Sequence, residues 1–133
     1  MEAVSSLGLS PAQVFKTLLV ASGSGNGELV VAMLPADRQL DLKALARHLG
    51  VRRVEMADAG RAERVSGYKT GGISPLAMRR RLTSCLDQSA SGLEAVWISA
   101  GRRGLEIELA PPDLLEVTGA SYVDLSPIEP GCG

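Results

Sequence analysis

The chain is expected to fold as an α+β domain on a mixed, mostly antiparallel sheet. Strand-like runs come in pairs joined by short turns: VFKTLLVAS with ELVVAML across SGSGNG, and AVWIS with LEIEL across AGRRG. Helical patterns such as DLKALARHLG stand between such pairs and do not alternate regularly with single strands, which argues against a doubly wound parallel sheet. Only 3% of residues are aromatic while 45% are hydrophobic, so the core must be aliphatic.

Taken in order, Ser10 and Pro11 suit the start of a short helix or turn. Val14 to Ala21 reads as a strand rich in β-branched and large apolar residues. Ser22 to Gly27 makes a hairpin loop. Its glycine spacing resembles a phosphate-binding turn, but a strand follows, Leu29 to Leu34, where that chemistry needs a helix. Pro35 ends the strand. Leu42, Leu45, Ala46 and Leu49 recur at helical spacing between Asp41 and Gly50, which predicts a capped amphipathic helix. Val51 to Met56 reads as a strand, and Asp58 to Arg64 as a helix that Gly67 breaks. Thr83 to Gln88 is a strand and Ser89 to Gly92 a turn. Ala95 to Ser99 and Leu105 to Leu109 form the second hairpin. PDLLEVTG is a helix closed by Gly119. Ala120 to Leu125 adds an edge strand, and the tail from Ser126 is expected to pack loosely.

The 133 residues are expected to form a single domain. A net charge of −1 supplies no global field for nucleic acid, so any such contact must come from local basic patches. The few aromatics disfavour a base-stacking platform. No apolar run is long enough to span a membrane, and the N-terminus does not read as a signal peptide, which leads to the expectation of a cytoplasmic protein with no membrane partner. Cys85 and Cys132 have no metal-type spacing and read as free thiols. The one histidine, His48, suits a helix C-terminus as an end charge. No metal or cofactor is expected.

Two local features invite chemistry. The stretch TGGISPLAMRRRL joins a diglycine, Gly71 and Gly72, to a helix start with Ser74 as N-cap and Pro75 in the first turn. Free N–H groups there can hold an anion or an oxyanion, although a plain capped loop gives the same local pattern. The helix behind it carries Arg79, Arg80 and Arg81. In the first strand Lys16 alternates with Val14, Leu18 and Val20. It either snorkels from an exposed strand end or sits in a pocket for an anionic or polar substrate group. Glu106 and Glu108 share one face of the last hairpin, and a solvated face is the plain reading for at least one of them.

Taken together, VFKTLLV, QLDLKALARHLG, VEMAD, GYKTGGISPL, RRRL and SAGRRGLEIEL resemble the YbaK family of aminoacyl-tRNA deacylases, relatives of the editing domain of bacterial prolyl-tRNA synthetase. The segments run in the family's order from Leu7 to Leu125. The resemblance implies the editing-domain fold, compact α+β with a barrel-like sheet. It implies hydrolysis of a mischarged amino acid, most often cysteine or alanine, from proline tRNA as trans-editing in translation quality control. The family's essential lysine falls on Lys16, followed by Thr17. The GGISP glycines fall on Gly71 and Gly72, the serine before the Gly-Arg-Arg turn on Ser99, and the acidic residue after Arg-Gly-Leu, often aspartate, on Glu106. Family members also carry a strand ahead of the helix that precedes VFKT, and this chain begins after it.

On that resemblance Lys16 binds a phosphate or hydroxyl of the terminal nucleotide. The N–H groups at Gly71 and Gly72 stabilise the oxyanion, and Thr17, Ser99 and Glu106 contact substrate. The substrate's own groups, such as a cysteinyl thiol, share the chemistry. Arg79, Arg80, Arg102 and Arg103 meet the tRNA backbone. The expected partners are aminoacyl-tRNA for proline and prolyl-tRNA synthetase. The rival reading is a non-catalytic module that binds aminoacyl-tRNA or that synthetase.

Overall fold

In a computed structural model, the structure describes residues 12–23, 28–57, 82–99 and 106–127. The expected helix from Asp58, the diglycine element with Arg79, Arg80 and Arg81, the turn holding Arg102 and Arg103, and Cys132 lie outside the described residues.

The first hairpin forms as its pattern predicts. β1 (Phe15–Ser22) and β2 (Leu29–Pro35) pair antiparallel, with Lys16 opposite Leu34 and Val20 opposite Val30. Helix α1 (Leu42–Leu49) follows. Asp41 caps it by accepting the Ala44 N–H at 3.0 Å, and Gly50 ends it in the left-handed region at φ 72°. Arg47 and His48 occupy its last turn, where positive charge is favoured. β3 (Val54–Met56) returns along β1; it is shorter than the expected Val51 to Met56 because Val51–Arg53 bends between α1 and the sheet.

β4 (Thr83–Asp87) runs parallel to β2, and β7 (Ser121–Val123) runs parallel to β4 at the edge, giving the order β3-β1-β2-β4-β7. Between β4 and β7 come a 3₁₀ helix (Gln88–Gly92) where a turn was expected, the antiparallel ribbon of β5 (Val96–Ser99) and β6 (Glu106–Leu109), and helix α2 (Pro111–Thr118). Pro111 opens α2 at a position where its missing N–H leaves nothing unpaired. The α+β class and the mixed sheet therefore hold. The barrel-like closure does not: the described strands form an open five-stranded sheet and a separate two-stranded ribbon.

The sheet is buried on both faces, which explains why β2 is apolar throughout rather than alternating. One face packs Phe15, Leu19, Val31, Met33 and Leu86 against Val96, Ile98 and Leu114. The other packs Val20, Val30, Ala32 and Cys85 against Leu45 and Ala46 of α1 and against Leu125. Each fully buried side chain of this size contributes about 1.5–3 kcal/mol. Cys85 is a buried free thiol, and burial pushes its pKa up.

The segment after β7 departs from expectation. Leu125 is fully buried and Ser126 only 4% exposed, so the chain is firmly packed at least that far. The anchor is Asp87, itself 1% exposed. One carboxylate oxygen accepts the N–H groups of Leu125 (2.8 Å) and Ser126 (3.1 Å), and the other accepts that of Ser89 (3.2 Å). Sequence reasoning passed over Asp87. The available signal was local, an Asp two residues before a serine at a strand end, which is an Asx-turn pattern.

Candidate functional site

Lys16 occupies the second position of β1. Its neighbour Phe15 and its cross-strand partner Leu34 are buried, while the lysine itself is half-buried. Burial lowers its pKa from the usual value, and the charge of Asp37 acts against that shift. A partly dehydrated ammonium gains more from an anionic or polar partner than a fully solvated one does. Both sequence readings of Lys16 find support: the strand end is partly open, and the apolar surroundings are real.

The ribbon approaches β1 at the end that carries Lys16. Val14 forms a parallel bridge with Trp97, and the Trp97 N–H donates to the Gln13 carbonyl at 2.8 Å. Two residues further along these parallel segments stand Lys16 and Ser99, and Ser99 pairs with Glu106 across the ribbon. Because side chains alternate along strands, Lys16, Ser99 and Glu106 fall in one row. Their positions are 83 and 90 residues apart from Lys16 in the chain, yet the pairing brings them into register.

Glu106 is the less ordinary of the two ribbon glutamates. Glu108 is exposed, as a solvated face requires, whereas the Oε2 atom of Glu106 is buried with no hydrogen-bond partner among the described residues. Burial pushes its carboxyl pKa up. An unmet buried carboxyl oxygen is costly, and such atoms call for a missing partner. Lys16 does not supply it, since the one ion pair among the described residues joins Arg53 to Glu55 at 3.3 Å. The ammonium and the carboxyl both stay available to a third group.

Thr17 falls on the opposite side of β1 from Lys16, alternating with Phe15 and Leu19 toward the face that the ribbon covers. Its Oγ1 is likewise buried and unpartnered among the described residues. The structure thus aligns three of the expected side chains and sets Thr17 apart from them. Gly71, Gly72, Arg79, Arg80, Arg102 and Arg103 lie outside the described residues. Among the described residues no three His, Cys, Asp or Glu side chains are grouped to share a metal ion, and no helix is long and apolar enough to cross a membrane.

Comparison with known proteins places this geometry. The sequence matches the aminoacyl-tRNA editing domain family over residues 1–117. The chain belongs to that family. It is 39% identical to the proposed Cys-tRNA(Pro)/Cys-tRNA(Cys) deacylase EbsC of Enterococcus faecalis, an alignment covering 91% of this chain and 73% of the relative. It is 29% identical to the multifunctional Ser/Thr-tRNA deacylase ProXp-y of Escherichia coli, covering 92% of this chain and 75% of that one. Among solved structures, a proposed trans-editing enzyme for prolyl-tRNA synthetase superposes with a TM-score of 0.83 at 25% identity, covering 94% of this chain and 77% of that one. The protein is an aminoacyl-tRNA deacylase of the YbaK type, and its reaction is hydrolysis of the ester in mischarged tRNA.

Proposed function

We propose that this deacylase removes cysteine or alanine from proline tRNA in trans, in the cytoplasm, and that Lys16, Ser99 and Glu106 form one wall of its site. The observation that carries the reading is their alignment in one row, with Lys16 half-buried and Glu106 holding an unmet buried oxygen. Lys16 grips a phosphate or hydroxyl of the terminal adenosine. Ser99 and Glu106 contact the aminoacyl end, and Thr17 is a further polar contact from the other side of β1. Because burial favours the protonated carboxyl, Glu106 can donate a hydrogen bond to an ester or amino acid oxygen, which a carboxylate cannot do.

Water, or the cysteinyl thiol of the substrate itself, adds to the ester carbonyl. The developing oxyanion is met by the N–H groups of Gly71 and Gly72, and the ribose oxygen leaves with a proton. Arg79, Arg80, Arg102 and Arg103 hold the tRNA backbone, and a synthetase may be replaced by direct capture of the charged tRNA only where those contacts suffice. The likeness to a trans-editing enzyme for prolyl-tRNA synthetase supports proline tRNA as the carrier. The likeness to EbsC supports cysteine as the group removed.

The test is deacylation of Cys-tRNA(Pro) and Ala-tRNA(Pro) by the wild type and by Lys16→Ala. The wild type should hydrolyse at least one of them, and Lys16→Ala should lose most of that activity with an unchanged circular dichroism spectrum. Full turnover by the folded variant would remove Lys16 from the site.

A further inference from the structure

Lys16 needs its charge to grip a nucleotide, yet its surroundings disfavour that charge. The nearest compensation comes from the turn that follows β2. Residues Pro35–Arg38 form a tight turn closed by the Arg38 N–H donating to the Pro35 carbonyl at 3.1 Å, and Asp37 is its third residue. The turn is stitched to the start of β1, because the Ala36 N–H donates to the Val14 carbonyl at 2.8 Å. It therefore lies just beyond Leu34, the cross-strand partner of Lys16.

The turn is also held from behind. The Arg38 guanidinium donates to the Ser126 carbonyl at 3.0 Å, and the Asp41 N–H donates to the Leu125 carbonyl at 2.7 Å. Leu125 and Ser126 are in turn fixed by Asp87 at the end of β4. An exposed acidic side chain thus stands on a loop anchored at both ends. We propose that Asp37 is a positioning residue for the deacylation site, acting across space to keep the Lys16 ammonium charged and aimed along the row it shares with Ser99 and Glu106. The inference rests on the assignment of Lys16 to that site. The attraction that Asp37 exerts on Lys16 agrees with it.

Asp37 forms no close ion pair with Lys16, and water screens part of its field, so its effect should be moderate. The test is a double-mutant cycle on the full chain, with Cys-tRNA(Pro) deacylation as readout. Asp37→Asn should lower kcat/KM about five-fold without moving the thermal midpoint, because the residue is exposed and the substitution keeps its shape. Asp37→Glu should recover most of the loss. In the Lys16→Ala background, Asp37→Asn should have no further effect. A normal rate for Asp37→Asn beside an impaired Lys16→Ala would overturn this inference alone. An equal loss in both backgrounds would also overturn it, because Asp37 would then act independently of Lys16. Full activity of Lys16→Ala would overturn the Lys16 assignment and this inference with it.

Discussion

Asp87→Ala is the substitution whose cost the structure defines most fully. The carboxylate is 1% exposed and accepts three backbone N–H groups, two of them from Leu125 and Ser126. Removing it leaves those donors unmet where water has little access, at about 1–3 kcal/mol for each buried group. Some relaxation is expected, since Ser89 is only partly buried and its N–H can reach water. The total should be about 3–5 kcal/mol. For a domain of this size that lowers the thermal midpoint by roughly 10–20 °C. Asp87→Asn keeps one acceptor oxygen, which can serve Leu125 and Ser126, but turns an amide N–H₂ toward the Ser89 N–H. It should cost about 1–2 kcal/mol. Denaturant titration of both variants, followed by circular dichroism, measures these values. A loss below about 1 kcal/mol for Asp87→Ala would refute the reasoning, because it would mean that the segment after β7 is not held by this carboxylate.

Glu106→Gln tests the opposite balance. Burial raises the folded-state pKa of Glu106 above its unfolded value, so ionisation opposes folding; the penalty is absent at low pH and grows as pH rises from the unfolded toward the folded pKa. Glu106→Gln should therefore raise the thermal midpoint at pH 7 and above but not at pH 4, while lowering deacylation, and the two scans with one rate measurement check it. Gly71→Ala should cut turnover on the order of 100-fold while leaving tRNA binding nearly unchanged, if its N–H serves the oxyanion; a stability loss with normal turnover per folded molecule would leave it only a turn residue. Gly50→Ala should destabilise by about 1 kcal/mol in a denaturant titration, because φ is 72° there although nothing crowds a new Cβ.

Much of the fold was legible in the sequence because it is written in local chemistry. Asp41 and Gly50 bracket α1, Pro111 and Gly119 bracket α2, and the two hairpins form between the expected runs. These features depend on backbone angles and on hydrogen bonds within a few residues, which residue identity controls. Lys16 was legible as an anomaly, a charge inside an apolar strand. What only the tertiary structure decided is which distant segments meet. β4 runs parallel to β2, a pairing that no local turn dictates. Glu106 and Glu108 look alike in sequence, and the ribbon's contact with the start of β1 leaves one carboxyl buried and the other in water. Asp87 gains its role from Leu125 and Ser126, nearly 40 positions later, separations of 38 and 39 residues. The same physical reason underlies each case: propensity and capping act over a few residues, whereas burial, desolvation and the satisfaction of a buried charge depend on what the completed fold packs around the side chain.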